Sequence, residues 1–277
     1  MKKQTSEVKR LRKFLSLFIL VHLWLNTHMA IHLLNCFTCN ARWFITLKTG
    51  MVCLLVETDQ GLVLVDTGLG LDDYANPTWM TRLFRMITVM PFDPNEAAVN
   101  RVRQLGYKPE DVKHIILTHM HFDHCSGLPD FPHAKVHVHR REYEAFTDHK
   151  ILHWDEYAYI PRYIAHHPEF ILYDNADAKW YGFDAIRLPF EPEMYFIPLH
   201  GHSHGHCGVA IKTFEGWFFH AADAGAVYDN ETPTWLIRVV LGPHDPALRA
   251  FMKAHPEVLV SNSHMFPEFF TQHPSVA

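Results

Sequence analysis

The chain has 277 residues, of which 48% are hydrophobic and 20% charged, enough to bury a full core and unlike a disordered or fibrous polypeptide. The net charge of −5 hides an asymmetry: the first thirteen residues hold six of the 25 Lys and Arg and one of the 30 Asp and Glu, so the rest carries 19 basic against 29 acidic side chains, about −10. A body that acidic lacks the basic footprint of phosphate-backbone binding, which argues against nucleic acid as a partner.

In chain order, a basic head is followed by an apolar run from Phe14 to Leu25, the layout of a secretory signal or short anchor. Twelve residues are short for a bilayer span, and Ala30 lacks a small residue two positions earlier, where His28 stands. A start at Met29 is a third reading. Residues 1–28 are therefore set apart as an extension, signal, anchor or start-site artefact, from a domain over 29–277. Any membrane contact is expected through residues 14–25 only. The five cysteines, Cys36, Cys39, Cys53, Cys125 and Cys207, are odd in number, and the lone CxxC pair in "CFTC" cannot complete a tetrahedral zinc site. Buried thiols in a reducing, cytoplasmic setting are expected, with export or anchoring as the alternative.

"AIHLLNC" (30–36) reads as the first strand, and "MVCLLVETDQGLVLVDTG" (51–68) as a hairpin around Asp59-Gln60-Gly61. Helical spacing runs from Pro94 to Leu105, with Gly106 as its stop. "VKHIILT" (112–118) is a buried strand that ends at a histidine cluster. Further strands are expected at 135–138, 194–199, 207–213, 217–220 and 258–262, with a helix over Pro246 to Ala254. This mixture indicates an α/β sandwich without internal repeats. Two stretches, 72–93 and 140–185, break the pattern. They carry Tyr74, Trp79, Met80, Phe84, Met86, Met90 and Phe92, then Phe146, Trp154, Tyr157, Tyr159, Tyr163, Phe170, Tyr173, Trp180 and Tyr181. Core packing accounts for most of them, and the remainder can cover an apolar substrate pocket.

Histidine is the outlier of the composition, at 23. In "HMHFDH" (119–124) neither a strand nor a helix points all four polar side chains one way, so the segment must turn. A strand end passing through a loop into a helix presents two pairs of ligands to two neighbouring points, as a dinuclear site needs. Imidazole and carboxylate without thiolate suit a catalytic Zn²⁺, Fe or Mn²⁺ site. Three more stretches supply partners at strand ends: "PLHGHSHGHCG" (198–208), "HAADAG" (220–225) and "LVSNSHM" (259–265).

Taken in order, "VDTG" (65–68), "THMHFDH" (118–124), "GHSHGH" (201–206), "AADAG" (221–225) and "SH" (263–264) resemble the five motifs of the metallo-β-lactamase-fold superfamily, over nearly all of residues 30 to 264. The resemblance implies an αββα sandwich holding two divalent ions, Zn²⁺ or alternatively Fe or Mn. His119, His121 and His202 would hold one ion, Asp123, His124 and His264 the other, and Asp223 would bridge them. Asp66 would support the ligands from beneath, and His200, His204 and His206 would be structural. Ala221 and Ala222 stand where the family often has glycine, and His204 where proline is frequent.

Two ions sharing a hydroxide imply hydrolysis, with Asp123 as the group that carries the proton to the leaving group. The family's true β-lactamases usually place Cys or Ser where Asp223 stands, and its flavodiiron oxidoreductases Glu where His121 stands. Glyoxalase II-type thioesterases add a helical domain after the last ligand, whereas thirteen residues follow His264 here. The lactonase and small-ester group remains, acting on a small molecule with an apolar moiety. Its quorum-quenching members generally carry Tyr three residues after the bridging Asp. Ala226 stands there, and Tyr228 is the nearest tyrosine. A glyoxalase II-type thioesterase and a mononuclear-iron sulfur oxygenase are the alternatives.

Overall fold

The computed structural model describes residues 30–41, 47–148, 156–226, 228, 233–265, 267–272 and 275–276. The extension at 1–28 and Trp154 lie outside these. Six strands build the first sheet in chain order: β1 (Ile31–Ala41), β2 (Leu47–Thr58), β3 (Gly61–Val65), β4 (Val112–Ile116), β5 (Lys135–His139) and β6 (Phe170–Tyr173). Six more make the second: β7 (Ala178–Trp180), β8 (Phe183–Leu188), β9 (Met194–Pro198), β10 (Cys207–Lys212), β11 (Trp217–His220) and β12 (Val258–Ser261). The chain then returns to the first sheet with β13 (His264–Met265), which pairs with β2, and β14 (Ser275–Val276), which pairs with β1. The helices are α1 (Leu71–Ala75), α2 (Trp79–Thr88), α3 (Ala98–Gln104), α4 (Phe122–Cys125), α5 (Arg140–Thr147), α6 (Thr234–Leu241), α7 (Asp245–Ala254) and α8 (Pro267–Gln272).

The first sheet runs β14-β1-β2-β3-β4-β5-β6 and the second β12-β11-β10-β9-β8-β7. β3 through β6 are parallel, as are β11 and β12, whereas β7 through β11 are antiparallel. The β2–β3 hairpin turns at Asp59-Gln60 with Thr58 opposite Gly61, whose φ of 100° only glycine adopts readily.

Three apolar clusters give the layers. Val52, Leu54, Val56, Val63, Val65 and Ile116 meet Phe196, Val209, Ile211 and Phe218 between the sheets. Cys53, Leu55, Leu64 and Ile115, on the outer face of the first sheet, pack with Val99 and Val102 of α3. Leu248 and Phe251 of α7 cover the outer face of the second sheet against Ala210, Phe219 and Val260. This is the αββα sandwich expected. The alternation along β2 explains why that strand is apolar from Met51 to Val56: successive side chains enter different clusters, and both are covered.

The helix expected over Pro94 to Leu105 is two pieces, a 3₁₀ turn over Pro94–Glu96 and α3, because Ala97 adopts an extended conformation (ψ 138°). Among their described residues, the stretches 72–93 and 140–185 hold most of α1, all of α2 and α5, and the strands β6 and β7, separated by irregular segments. All five cysteines are free and buried. Among the described residues no helix is long and apolar enough to cross a membrane.

Phe196 is fully buried between the sheets and Phe214 is 79% exposed. Phe196→Ala is expected to lower the unfolding free energy by about 3–5 kcal/mol, and Phe214→Ala to change it by no more than about 0.5 kcal/mol. Denaturant titration followed by far-UV circular dichroism measures both.

Candidate metal centre

The site lies beyond the carboxyl ends of the parallel strands. β3 ends at Val65, and Asp66 follows in a left-handed conformation (φ 56°) that turns its carboxylate across to the chain leaving β4. Asp66 is fully buried; its Oδ1 accepts from Thr118 N–H (2.9 Å) and its Oδ2 from the Thr118 hydroxyl (2.7 Å). The loop then bends into the short α4, so that His119 and His121 precede the helix while Asp123 and His124 sit on it. This is the turn the four polar side chains required.

Hydrogen bonds fix the tautomers. His124 Nδ1–H donates to Asp66 Oδ2 at 2.8 Å, and His202 Nδ1–H to the Val240 carbonyl at 2.9 Å. The Thr118 hydroxyl spends its hydrogen on Asp66 and therefore accepts from His119 Nδ1–H at 3.1 Å. Each imidazole so anchored turns its Nε2 inward, and all three approach Asp223 Oδ2: His124 at 3.1 Å, within hydrogen-bonding distance, His202 at 3.4 Å and His119 at 3.8 Å. His264 Nε2 approaches the same oxygen at 3.9 Å and Asp123 Oδ2 at 3.8 Å. For a neutral imidazole such as His119 or His202, a nitrogen lone pair facing a carboxylate oxygen repels it unless a cation lies between them.

Three groups of ligand atoms each lie within 4.8 Å of one another: His119 with His121 and His202; His119 with His124 and Asp223; and Asp123 with His124 and His264. All seven residues singled out in the sequence are thus brought together. His119 Nε2 is buried without a hydrogen-bond partner. An all-nitrogen and oxygen donor set with such an orphaned atom fits divalent ions of the Zn²⁺, Fe or Mn²⁺ kind.

The electrostatics agree. Burial, aided by neighbouring imidazoles, pushes His119 well below the usual histidine range and His202 to about 4, so both are neutral and able to donate a lone pair. Burial opposes charge on His124 too, but Asp66, Asp223 and Asp123 outweigh it and lift its pKa well above the usual value. Burial likewise disfavours the Asp223 carboxylate, yet His264, His124 and His202 hold its pKa well below the ordinary range. The carboxylates therefore favour positive charge at their centre.

The remaining loop histidines take other roles. His206 Nδ1–H donates to the Leu199 carbonyl (3.1 Å) and its Nε2 accepts from Asp223 N–H (3.1 Å), which uses both nitrogens and sets the backbone that carries Asp223. His200 Nδ1–H donates to the His206 carbonyl at 3.2 Å. Asp223 is held further by Asn262, whose amide donates to the carbonyls of Ala222 (3.2 Å) and Gly225 (2.6 Å).

Sequence reasoning missed Glu142. It is fully buried on α5, its Oε1 accepting from Met120 N–H (2.8 Å) and the Tyr159 hydroxyl (3.1 Å), and its Oε2 from the Ser203 hydroxyl and Gly205 N–H (2.7 Å each). One carboxylate thereby ties the 119–124 loop to the 202–206 loop. In sequence Glu142 sits within "RREYE", which reads as a solvated helix face. Nothing there marks it for burial.

A cavity of about 380 Å³ opens over the cluster. Its floor is His121, Asp123, His202, Asp223 and His264; its walls are Met80 and Phe84 of α2, Phe122, Tyr157, Ala158, and Val240 and Leu241 of α6. Among the described residues no Lys or Arg lines it. Of the aromatic and Met residues in the two irregular stretches, Met80, Phe84 and Tyr157 reach this cavity, while Met90, Phe146, Tyr163 and Trp180 are buried in the clusters beneath. Tyr228 donates to the Val260 carbonyl (2.6 Å) and is absent from the lining.

Comparison with known proteins bears on this arrangement. The model of the metallo-beta-lactamase superfamily matches residues 51–264. A probable metallo-hydrolase of Mycobacterium tuberculosis is 37% identical over 199 residues, which make up 70% of this chain and 62% of that protein, so the chain spans less than two thirds of the relative's length. An N-acyl homoserine lactonase of Bacillus thuringiensis is 31% identical over 162 residues, 58% of each chain. Among solved structures, B. thuringiensis AiiA with N-decanoyl-L-homoserine bound at its active site superposes with a TM-score of 0.62 at 21% identity, covering 87% of this chain and 95% of that one. AidC, a dizinc quorum-quenching lactonase, gives 0.54 at 17% identity, covering 79% and 74%. Both structural likenesses are likenesses of fold.

The Glu142 tie is testable through stability alone. Glu142→Ala strips two buried backbone donors of their acceptor, at roughly 1–3 kcal/mol each, so a loss of about 3 kcal/mol or more is expected in denaturant titration. Gly205→Ala would place a Cβ 2.3 Å from Glu142 N and is expected to destabilise comparably. Glu142→Gln, which retains one acceptor oxygen, should fall between wild type and Glu142→Ala.

Proposed function

The chain belongs to the metallo-β-lactamase superfamily, and from that premise we propose that it is a metal-dependent hydrolase that opens a lactone or small ester bearing an apolar group. The observation that carries this reading is the convergence of the His119, His124, His202 and His264 Nε2 atoms on Asp223 Oδ2, at the floor of an apolar cavity. In this reading His119, His121 and His202 hold one ion, Asp123, His124 and His264 hold a second, and Asp223 lies between them. Zn²⁺ suits the set, with Fe or Mn as alternatives. Such a pair supplies a water-derived nucleophile at neutral pH and a Lewis acid for the attacked carbonyl.

The rest falls to the chain's own side chains. Met80, Phe84, Phe122, Val240 and Leu241 take the apolar part of the substrate and leave its carbonyl over the polar floor. They also exclude bulk water, which strengthens every charge interaction beneath them. Asp123 lines the cavity on the side of His264, where it can take the nucleophile's proton and pass it to the alkoxide released when the acyl C–O bond breaks. Among the described lining residues no Lys or Arg offers a side-chain cation for a phosphate. The similarity to an N-acyl homoserine lactonase supports a lactone in particular.

Asp123→Asn removes a charged ligand and the proton carrier together, and is expected to lower kcat by about a hundredfold or more while changing KM less. Steady-state kinetics on protein of verified metal content checks this, and near wild-type kcat would refute the role of Asp123. The substrate reading is tested with lactones and p-nitrophenyl esters of increasing acyl length. Each methylene buried contributes about 0.8 kcal/mol, so kcat/KM should rise a few-fold per carbon until the cavity fills. Chelation should abolish turnover across the whole series and Zn²⁺ should restore it. A flat series, or faster turnover of a phosphodiester than of any ester, would overturn the substrate assignment.

A further inference from the structure

The mouth of the cavity is bordered by two helices, α2 through Met80 and Phe84 and α6 through Val240 and Leu241. Each turns its other face to solvent, and that face is apolar. On α2, Trp79, Arg82, Leu83, Met86 and Ile87 are all exposed, at the spacing i, i+3, i+4, i+7 and i+8 of a single helical face. Trp79 is 58% and Met86 69% exposed. On α6, Trp235, Arg238 and Val239 form the same kind of face, with Trp235 at 66% and Val239 at 65% exposure. Tyr157, exposed and lining the cavity, packs edge-on against Trp79 with ring centroids 6.3 Å apart, and so joins the α2 face to the mouth.

The charges on these helices differ from those on the body. α2 and α6 together carry Arg82, Arg85 and Arg238 and no acidic residue, in a chain whose residues beyond the first thirteen sum to about −10. Arg82 donates through Nε to the Pro77 carbonyl (3.1 Å) and the Arg85 guanidinium lies 4.2 Å from the centre of the Phe92 ring; both remain exposed. Exposed Trp and long aliphatic side chains with arginines interleaved, on short helices that do not span, match a surface that rests in the boundary between headgroups and acyl chains.

We propose that this face docks onto an anionic phospholipid surface, with the cavity mouth turned toward the lipid. Arginine without acidic counterparts is attracted to such a surface and opposes the alternatives. A second copy meeting the same face would oppose arginine to arginine. Residues 14–25 folding back over it would bring with them a head that holds six Lys and Arg in its first thirteen residues. That head is instead attracted to the same lipid.

Sedimentation of the full chain with phosphatidylcholine vesicles, with and without phosphatidylglycerol, tests the proposal without any turnover, so it stands or falls independently of the catalytic reading. Binding is expected to the anionic vesicles and to weaken with salt. Trp79→Ser combined with Trp235→Ser, and separately Arg82→Gln with Arg85→Gln and Arg238→Gln, should each lower partitioning by about tenfold or more. These positions are exposed, so unfolding midpoints should match wild type. Wild type that fails to bind overturns the proposal. So does unchanged binding by both variants, which would leave the basic N-terminus as the attachment. A tryptophan variant that turns a dimer into a monomer in light scattering, with no vesicle binding by wild type, would assign the face to a second copy and overturn it equally.

Discussion

The arrangement depends on one constraint: buried carboxylates and imidazoles have to be held with their lone pairs facing one another. Left to relax, Asp223 Oδ2 and the Nε2 atoms of His119 and His202 would turn away, since each gains by exposing its lone pairs to hydrogen-bond donors. What prevents this is that the far side of each group is already engaged. Asp66, Thr118 and the Val240 carbonyl occupy the three Nδ1 positions, and His206 and Asn262 hold the backbone around Asp223. Repulsion at the centre is thereby stored as affinity for a cation.

The sandwich supplies these anchors from independent elements, which makes the centre rigid. Asp66 follows β3, the 118–124 loop follows β4, Asp223 follows β11 and His264 opens β13 after β12, so parallel strands of both sheets end at the same place. β13 then pairs with β2, His264 opposite Met51, and this locks the last ligand-type residue onto the first sheet. Glu142 ties the remaining loop, 202–206, to the 118–124 loop from outside the sheets. A movement in any one loop would break hydrogen bonds belonging to another, so small displacements are opposed collectively.

The ligand-type residues could be read in the sequence because metal chemistry requires particular side chains at strand ends, and strand ends are marked by the switch from apolar runs to polar ones. The hairpin at 51–68 and the strands near 112, 135, 194, 207, 217 and 258 were legible because each is a short, largely apolar or alternating run bounded by turn signals. α2 and α6 were not. Their apolar residues are shared between a buried or cavity-lining side and an exposed side, as Phe84 and Met86 illustrate, so the pattern of a helix with one polar face is lost. Glu142 and Asp73 were hidden differently. Asp73 is fully buried and accepts from the Tyr163 hydroxyl at 2.6 Å, a partner ninety positions away that local spacing cannot reveal. A buried carboxylate looks like a surface one until its donors are known.

The same separation explains how the site divides its work. Most groups that fix charge are anchored in strand ends and loops stapled by buried hydrogen bonds, His202 alone resting on the Val240 carbonyl of α6, whereas the cavity walls come from α2, α6 and the stretch around Tyr157. α6 buries only Ile237 and α2 only Thr81, while Met80 and Phe84 of α2 pack part-buried against the first cluster. Wall side chains that reach the cavity can therefore change with little effect on the ligand geometry beneath them, provided the Val240 carbonyl keeps its place. In the proposed reaction, substrate selection is therefore a property of the helices at the mouth, and bond breaking a property of the strand ends. That is why the chemistry follows from a handful of motif residues while the identity of the substrate has to be read from the apolar surface around them.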